Sequence, residues 1–316
     1  MQKLLDLQAN SKTKTKVKIA GRLMTLRNLG KITFGVLQDG SGRIQIVLQE
    51  KETSKNIITF FNKYVDTGDF LGIEGFIFKT ERGELSVLIK KLVLLTKSIL
   101  PLPEKWHGLQ DKEERYRKRY LDLLINPEVK DVFEKREKII DTIREFLKQK
   151  KFIEVEIPTL QSVYGGASAS PFKTHLNALD IDLYLSISPE LYLKRLIVGG
   201  IDRVFTICKN FRNEGIDYQH NPEFTMMEYY AAYENHEFHI KFTEELFNQL
   251  RKSLRLKESI EYRGKKISLK TPFKRVRFRD LILKETGIDI NKTRDFKTLK
   301  KEIESKKNPN INIIYV

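Results

Sequence analysis

The stretch Phe211–Tyr230, FRNEGIDYQHNPEFTMMEYY, decides how the rest of the chain is interpreted. It begins with Phe-Arg-Asn-Glu, turns through Gly215 and Asn221-Pro222, and returns as Phe-Thr-Met-Met-Glu. This order predicts two antiparallel strands joined by a polar loop, with charged side chains on one face. An arginine and a histidine near a flat aromatic ring suit a polyphosphate attached to a planar base. We therefore expect a binding or catalytic hairpin here, with a purely structural hairpin as the alternative.

The size and composition of the chain indicate two folded domains. The chain has 316 residues, of which 40% are hydrophobic and 32% are charged. It contains no run of about 18 apolar residues and its first residues lack the apolar segment of a secretory signal, so we expect a cytoplasmic protein without a membrane span. Cys208 is the single cysteine, which excludes an internal disulfide, and its apolar neighbours predict a small core residue.

The net charge of +16 favours a nucleic-acid partner only weakly. Lysine is spread along the whole chain, and isoleucine, asparagine, phenylalanine and tyrosine are also frequent. Coding DNA that is rich in A and T would produce the same composition without any selection for binding a polyanion. The charge alone therefore leaves both explanations open.

Residues 1–100 show runs of alternating apolar and polar residues, with one helical segment between the third and fourth runs. This is the order of an OB-fold, a closed barrel that binds oligonucleotides and has no exposed strand edge. Single-stranded bases stack on aromatic side chains of such barrels and are read by polar ones. Alternation buries every second strand residue, so an aromatic such as Phe34 is by itself better explained as core. Taken together, four residues at strand and turn positions make a binding face as reasonable as a purely structural role. They are Arg27, Phe34, Gln45 and Glu84.

A connector at 101–127 separates the barrel from the second domain. Two prolines end the barrel, and the charged, helical stretch that follows is predicted to dock rather than to form a loose tether. Residues 128–316 then combine helices with mainly antiparallel strands, beginning with an amphipathic helix at 128–150 and a strand that Pro158 closes. The second domain is therefore of the α+β class.

Two further helices are predicted in the second domain. Ser188 should cap a helix whose first turn contains Pro189, and an amphipathic helix is predicted at 239–256. The chain contains no Walker loop and no G-x-G-x-x-G after a strand. An ATP site in this domain must therefore use side chains.

The hairpin resembles motif 2 of the class II aminoacyl-tRNA synthetases. The helix and strand that end at Pro158 resemble motif 1, the dimer-forming element of that class. An OB barrel before such a core is the order of the subclass that contains the lysine, aspartate and asparagine enzymes. Within it the chain is most similar to the bacterial-type lysyl-tRNA synthetases, in order over nearly the whole chain. Specific segments carry this resemblance: GGASA at 165–169, PELYLKR at 189–195, FRNE at 211–214 and HNPEFTMME at 220–228.

The resemblance implies a lysine–tRNA ligase. ATP would activate L-lysine as lysyl-adenylate, and the lysyl group would then pass to the 3′ end of lysine tRNA. Arg212 would be the catalytic residue, since it would hold the α-phosphate and the amino-acid carboxylate in line. The family also uses Mg2+ and forms a homodimer, here through the 128–158 region.

The resemblance assigns further residues to three binding sites. Glu214 would accept from the adenine amino group, Phe224 would stack on the base, and His220 would meet the γ-phosphate side. The acidic lining of the amino-acid pocket fits a substrate with two ammonium groups. The complete assignment is ATP with Arg212, Glu214, His220, Asn221 and Phe224; lysine with Gly166, Glu190, Arg212, Glu228 and Tyr230; and the uridine-rich tRNA anticodon with Arg27, Phe34, Gln45 and Glu84.

Each acidic or aromatic residue also has a structural explanation. Glu190 at a helix start would complement the helix dipole, Glu228 would be a solvated strand residue, and Phe224 would be a core aromatic. Their joint occurrence favours the site.

The chain departs from the family pattern in two ways. Gln219 and Ser170 stand where family members usually carry arginine. The family also continues past the point corresponding to Val316, with acidic magnesium ligands and motif 3. We therefore expect a C-terminally truncated catalytic domain with motifs 1 and 2 only, no metal ligands in this chain, and impaired adenylate formation.

Two alternatives remain. A non-catalytic protein that binds the tRNA anticodon would use the barrel alone, with the second domain vestigial. An aspartate or asparagine enzyme is disfavoured by Pro189-Glu190 and by Met226-Met227-Glu228.

Overall fold

A computed structural model describes residues 12–102, 109–217, 219–292 and 295–305. The chain divides into two compact units, Met1–Lys130 and Asp131–Val316. Trp106 and His107 of the predicted connector, and residues 306–316, lie outside the described residues. Among the residues that are described, no helix is both long and apolar enough to cross a bilayer.

The first unit contains a closed five-stranded barrel, as predicted. Its elements are β1 (Lys12–Asn28), β2 (Ile32–Gln38), β3 (Arg43–Gln49), α1 (Lys55–Tyr64), β4 (Phe70–Lys79) and β5 (Leu85–Thr96). The strands are ordered β1-β2-β3-β5-β4, and β1 closes the barrel by pairing antiparallel with β4. Strands β3 and β5 run parallel, which places Gln45 beside Ser86.

Alternation along the strands builds the barrel core. In β2 and β4 buried residues alternate with partly exposed ones, as expected for strands with one face turned inward. Leu37, Ile46 and Leu71 are buried in this way, and Phe61 of α1 packs into the same cluster. Burying each such side chain contributes about 1.5–3 kcal/mol relative to leaving it in water. The barrel therefore has a hydrophobic core of its own.

A buried carboxylate ties the turn before β4 to the end of β5. Asp69 is fully buried. Its Oδ1 accepts from the backbone N–H of Ser98 at 2.7 Å, and its Oδ2 accepts from the backbone N–H of Asp66 at 2.8 Å and from Lys97 Nζ at 2.9 Å. Burial by itself would raise the pKa of Asp69, but these hydrogen bonds and the Lys97 charge outweigh it and hold the pKa below its ordinary value.

The substitution Asp69→Asn is expected to lower the free energy of unfolding of the barrel by about 2–3 kcal/mol at neutral pH, because an amide loses charge-assisted hydrogen bonds. The folded pKa is depressed, so the stability that Asp69 contributes is present above the unfolded pKa. It is lost as the pH falls below about 4. On going to acid pH, the free energy of unfolding of Asp69→Asn should therefore fall less than that of the wild-type chain.

Hydrogen exchange of β1 and β4 peptides between pH 3 and 7, corrected for intrinsic exchange rates, measures both effects. Glu50→Gln, at an exposed position of the same barrel, is the matched control and should behave as wild type. Unchanged protection in Asp69→Asn would show that the carboxylate is not required.

Two short helices follow the barrel within the first unit, α2 (Lys112–Arg117) and α3 (Arg119–Ile125). Asp122 of α3 is fully buried. It accepts from Arg115 Nε at 2.8 Å and also from the Arg119 guanidinium. These charge-assisted bonds hold the two helices together. The helical conformation predicted for this charged stretch is therefore present, and its docking stays a prediction.

The second unit combines helices with small sheets, so the predicted α+β class is confirmed. Strands β10 and β11 pair antiparallel and β6 pairs parallel with β10, while β7, β9 and β8 form a separate sheet. The elements are α4 (Pro127–Gln149), β6 (Ile153–Glu154), β7 (Leu160–Gln161), β8 (Lys173–Leu176), β9 (Ile181–Leu185), α5 (Glu190–Val198), β10 (Arg203–Phe211), β11 (Glu223–Ala231), α6 (His236–Ser253), β12 (Ser259–Tyr262), β13 (Lys265–Ser268), α7 (Phe278–Thr286) and α8 (Phe296–Ser305).

Strands β10 and β11, with the loop between them, form the central hairpin. Its two faces differ because side chains alternate across a strand. On the odd-numbered face Phe205 is fully buried and, with Tyr229, packs into a cluster that contains Phe146 of α4 and Phe242 of α6. The even-numbered residues project to the opposite face, named here the even face. The hydrophobic cluster therefore supports the hairpin from behind. On the even face Val204, Thr206 and Asn210 are also buried, whereas Cys208 and the even-numbered residues of β11 stay partly exposed.

Three boundaries in the second unit differ from the sequence-based expectation. Strand β6 covers only Ile153–Glu154, because its pairing with β10 is limited to two residues. Helix α6 begins at His236 rather than 239, because Asn235 Oδ1 accepts from the backbone N–H of Glu237 at 3.0 Å and caps the helix earlier. Helix α5 begins at Glu190, so Pro189 is its N-cap residue and not part of the first turn as predicted; Ser188 Oγ still accepts from the backbone N–H of Glu190 at 3.2 Å.

Candidate functional site

The even face of the central hairpin forms the floor of the candidate site. Thr206, Cys208 and Asn210 of β10 lie opposite Glu228, Met226 and Phe224 of β11. Phe224 and Glu228 are four positions apart along an extended strand, a distance of about 13 Å. The floor therefore has two ends, one at Phe224 and the other at Glu228.

At the first end, Arg212 lies against Phe224. The guanidinium carbon of Arg212 is 5.2 Å from the ring centroid of Phe224, a cation–π distance. Within the described part of the chain, the buried Nε of Arg212 has no hydrogen-bond partner. Leaving such a donor unpaired costs about 1–3 kcal/mol, which an acceptor oxygen of a ligand would recover. This end of the floor suits an anionic group next to a planar ring.

Two backbone contacts join the 165–171 loop to the start of the hairpin loop. The N–H of Asn213 donates to the carbonyl oxygen of Ser170 at 2.8 Å, and the N–H of Ser170 donates to Glu214 Oε1 at 3.2 Å. Both contacts use the backbone of Ser170. The side chain of Ser170 takes no part in either contact.

The predicted residues His220 and Asn221 are exposed in the loop of the hairpin. Asp217 organises this loop: its Oδ1 accepts from the backbone N–H groups of Gln219 at 2.6 Å and His220 at 2.8 Å, and its Oδ2 lies 2.8 Å from His220 Nδ1. These bonds, that from Gln219 first, hold the pKa of Asp217 below its ordinary value. Within the described segments no hydrogen bond joins His220 to Arg212; the backbone N–H of Arg212 donates to the carbonyl oxygen of Pro222, two residues after His220, at 2.9 Å.

At the second end of the floor, Glu228 is held by two hydroxyl groups. Tyr230 Oη donates to Glu228 Oε1 at 2.6 Å, and Ser188 Oγ donates to Glu228 Oε2 at 3.4 Å. Burial, and then the hydrogen bond to Glu228 and the charges of Glu228 and Glu190, raise the pKa of Tyr230 well above its ordinary value. Tyr230 therefore remains a hydroxyl donor throughout the physiological pH range.

Glu190 and Gly166 lie beside this end. Glu190 Oε1 accepts from Lys194 Nζ at 2.5 Å, and Lys194 Nζ is 5.7 Å from the ring centroid of Tyr230. Gly166 has φ +84°, and a Cβ there would lie 2.7 Å from Glu190 Cβ and 3.0 Å from Ser188 Oγ. Only glycine allows the loop to approach the start of α5 this closely.

Cys208 was expected in the core, and this expectation is wrong. It is only partly buried, although Thr206 and Asn210 on the same face are buried, and it lies opposite Met226. Burial, and to a smaller extent the charge of Glu228, raise the pKa of the Cys208 thiol, which therefore stays protonated at neutral pH.

Sequence reasoning missed three residues that hold the site. Lys194 lies four residues after Glu190 on one helix, so helical spacing would have paired them. Asp217 lies three residues before His220 in a polar turn, where an aspartate commonly binds the backbone ahead of it. Ser188 reaches Glu228 only through the tertiary fold, and no local pattern signals that contact.

The groove of the barrel is a second candidate site, described within the first unit alone. The four predicted residues Arg27, Phe34, Gln45 and Glu84 all line one open groove of about 780 Å³. Phe34 is only partly buried, whereas its neighbours Thr33 and Gly35 face the core. The interpretation of Phe34 as a core residue is therefore wrong.

Among the described residues, no group of three or more His, Cys, Asp or Glu side chains is arranged to hold a metal ion.

Comparison with known proteins connects both units to described families. Residues 111–315 match the family described as class II tRNA synthetases (D, K and N), and residues 17–95 match the OB-fold nucleic acid binding domain. The lysine–tRNA ligase of Thermotoga maritima is 48% identical over 286 residues, which cover 90% of this chain and 57% of that protein. The lysine–tRNA ligase of Aquifex aeolicus is 48% identical over 292 residues, 91% of this chain and 49% of that protein. The chain thus spans about half the length of these relatives.

Proposed function

The chain belongs to the class II tRNA synthetases (D, K and N), and from that membership we propose that it carries the site of a lysine–tRNA ligase. In the proposed reaction a carboxylate oxygen of L-lysine attacks the α-phosphorus of ATP. The bond from that phosphorus to its bridging oxygen breaks, and pyrophosphate leaves. A ribose hydroxyl at the 3′ end of lysine tRNA then attacks the carbonyl carbon of lysyl-adenylate, loses its proton, and AMP leaves.

The unpaired Nε of Arg212 is the observation that carries this proposal. A phosphate or carboxylate oxygen is the acceptor that a guanidinium binds best. Negative charge increases at the α-phosphate as the carboxylate attacks, so a fixed cation at this place stabilises the transition state more than the substrates. Phe224, whose ring lies against Arg212, would offer its other face to the adenine.

The remaining ATP contacts are proposed for the loop of the hairpin. Glu214 would accept from the adenine amino group, and His220 with Asn221 would meet the outer phosphates. Asp217 would act on the orientation of His220, because it binds both the backbone and the ring of that residue.

The other end of the floor is proposed to hold the lysine. Glu190 would pair with the α-ammonium group and Glu228 with the side-chain ammonium group, while Gly166 lets the loop close over the substrate. Tyr230 would keep Glu228 in place through its 2.6 Å hydrogen bond. Two carboxylates at one end of the floor favour a substrate with two ammonium groups and repel aspartate.

The barrel groove is proposed to bind the anticodon of lysine tRNA. Phe34 would stack on a base, Gln45 and Glu84 would contact its edge, and Arg27 would contact the backbone. Arg82 lines the same groove and adds a second positive charge. The groove therefore combines the aromatic, polar and cationic groups that single-stranded RNA requires.

The other proposed properties follow from the family. We propose a cytoplasmic homodimer that packs through residues 128–158, where Val132 and Phe133 are 63% and 51% exposed. Mg2+ would arrive with ATP, but the described residues do not fit a magnesium site, and no step here is assigned to the ion. Light scattering over a range of protein concentrations tests the dimer.

The substrate assignment is tested with lysyl sulfamoyl adenosine, a non-hydrolysable analogue of lysyl-adenylate. The 316-residue chain should bind it and bind the aspartyl analogue at least about 100-fold more weakly. ATP–pyrophosphate exchange should, at whatever rate this chain supports, depend on lysine and not on aspartate or asparagine. Equal affinity for the two analogues would contradict the proposal.

A further inference from the structure

Ser188 lies at the second end of the floor, next to both of its glutamates. Its side chain is buried. Its Oγ accepts from the backbone N–H of Glu190 at 3.2 Å and donates to Glu228 Oε2 at 3.4 Å. A Cβ at Gly166 would lie 3.0 Å from the same Oγ. One hydroxyl group therefore borders three of the residues that are proposed to surround the lysine.

The groups around Ser188 fix the direction of its hydrogen bonds. A backbone N–H can only donate, so the N–H of Glu190 uses a lone pair of Ser188 Oγ and leaves the hydroxyl hydrogen for an acceptor. Glu228 supplies that acceptor. The two oxygens of a carboxylate are equivalent, so turning the group over exchanges them without changing either contact. Ser188 therefore joins the carboxylate of Glu228 to the start of α5.

The two hydroxyl groups that hold Glu228 have different roles. Tyr230 Oη donates to Oε1 at 2.6 Å, a short and strong contact, but one contact alone leaves the carboxylate able to turn about that oxygen. Ser188 contacts the other oxygen at 3.4 Å, so its bond is the weaker of the two. Its effect is to oppose the turning of the carboxylate.

We propose that Ser188 is a positioning residue that holds Glu228 Oε2 in place relative to α5, and thereby makes the pocket select the length of the substrate side chain, lysine over ornithine. This inference rests on the proposed function, in which Glu190 and Glu228 pair with two ammonium groups. Ornithine carries the same two ammonium groups with one methylene fewer between them. Glu228 must turn from its position to meet the shorter side chain, and the Ser188 contact is lost when it does.

The test compares lysyl sulfamoyl adenosine with ornithyl sulfamoyl adenosine by isothermal calorimetry on the 316-residue chain. Wild type should prefer the lysyl compound by about 10-fold to 200-fold, the usual value of one methylene group. In Ser188→Ala this ratio should fall by about fivefold, the contribution of one hydrogen bond. The fall should come mainly from tighter binding of the ornithyl compound, because Tyr230 still holds Glu228 for lysine. A general loosening of the pocket would instead weaken both compounds and leave the ratio unchanged.

Ser186→Ala is the matched control. It removes another buried hydroxyl of the same turn, which contacts Asn210 Oδ1 at 3.0 Å and the carbonyl oxygen of Ser188 at 3.2 Å but not Glu228. It should keep the wild-type ratio. A wild-type ratio in folded Ser188→Ala, or an equal fall in Ser186→Ala, would overturn the inference and leave the proposed function intact.

Two further measurements do not depend on the folding of Ser188→Ala. Ser188→Cys keeps a side chain of similar size with a weaker donor, so its ratio should also fall, and a wild-type ratio would contradict the role of the hydroxyl. Equal binding of the lysyl and ornithyl compounds by wild type, with the aspartyl analogue still rejected, would overturn the inference alone. Equal binding of the lysyl and aspartyl analogues would contradict the proposed function, and the inference with it.

Discussion

Arg212→Met should weaken binding of lysyl sulfamoyl adenosine by about 100-fold to 1,000-fold. This is the usual effect of losing one positioned hydrogen-bond donor that stabilises negative charge in a transition state. The methionine side chain retains most of the length and apolar contact of arginine, so the loss isolates the guanidinium. The backbone N–H of Arg212, which donates to the Pro222 carbonyl at 2.9 Å, is unaffected. Isothermal calorimetry or competition with a fluorescent ATP analogue measures the change.

Two variants control this result. Arg212→Lys keeps the charge but presents a single ammonium group instead of a planar fork, so it should recover only part of the affinity. Arg277→Met removes the same charge from an exposed position of the second unit and should bind as wild type. Binding of Arg212→Met within about threefold of wild type would exclude Arg212 from the site.

The same substitution should not destabilise the fold. The buried Nε of Arg212 has no partner in the described part of the chain, so removing it relieves a desolvation cost of about 1–3 kcal/mol. Arg212→Met should therefore unfold at the same temperature as wild type or slightly higher. A group that lowers stability and raises affinity is typical of a functional site, whereas a structural arginine would show the opposite balance.

Gly75→Ala should destabilise the barrel by about 3 kcal/mol or more, at the upper end of overpacking effects. Gly75 lies at an irregularity in the pairing of β4 with β5. A Cβ at this position would lie 2.1 Å from the carbonyl oxygen of Leu88 and 2.9 Å from its carbonyl carbon. Backbone atoms of a paired strand cannot rotate away as a side chain can, so β4 and β5 must separate.

The control for this prediction lies in the same strand. A Cβ at Gly72 would lie 3.5 Å from the methyl groups of Leu95, an ordinary contact with a side chain that can adjust. Gly72→Ala should therefore change the free energy of unfolding by less than about 1 kcal/mol. Hydrogen exchange of β4 and β5 peptides distinguishes the two variants. Equal protection in both would show that the barrel accommodates a Cβ at position 75 without losing stability.

The elements that could be predicted are those whose signal is local. The alternation of apolar and polar residues and the turn at Asp39–Gly42 were sufficient to predict the barrel strands. Side chains of a strand alternate between its two faces whichever strand it pairs with. The central hairpin was predictable for a similar reason, because its turn residues and charged groups lie within one segment. The motifs in it also identified the family, which the comparisons confirm.

What could not be predicted depends on contacts between distant segments. Ser86 meets Gln45 only because β3 and β5 pair in parallel across 41 positions of the chain. Cys208 follows the largely apolar run Val204–Ile207 on a strand whose register was unknown, so the sequence did not reveal which face it occupies. The length of β6 could not be predicted from the residues of β6, because it is set by the two-residue pairing with β10.

The ion pair between Glu190 and Lys194 would make lysine binding an exchange of one cation for another at Glu190. The ammonium group of Lys194 lies 2.5 Å from Glu190, so the ammonium group of the substrate would exchange with a tethered counter-ion instead of meeting a bare carboxylate. The number of small ions released on binding should then be near zero. The affinity for lysine should accordingly depend only weakly on salt between about 0.05 and 0.5 M, and more steeply in Lys194→Met. Lys194 would thus neutralise the carboxylate of Glu190 whenever the substrate ammonium group does not.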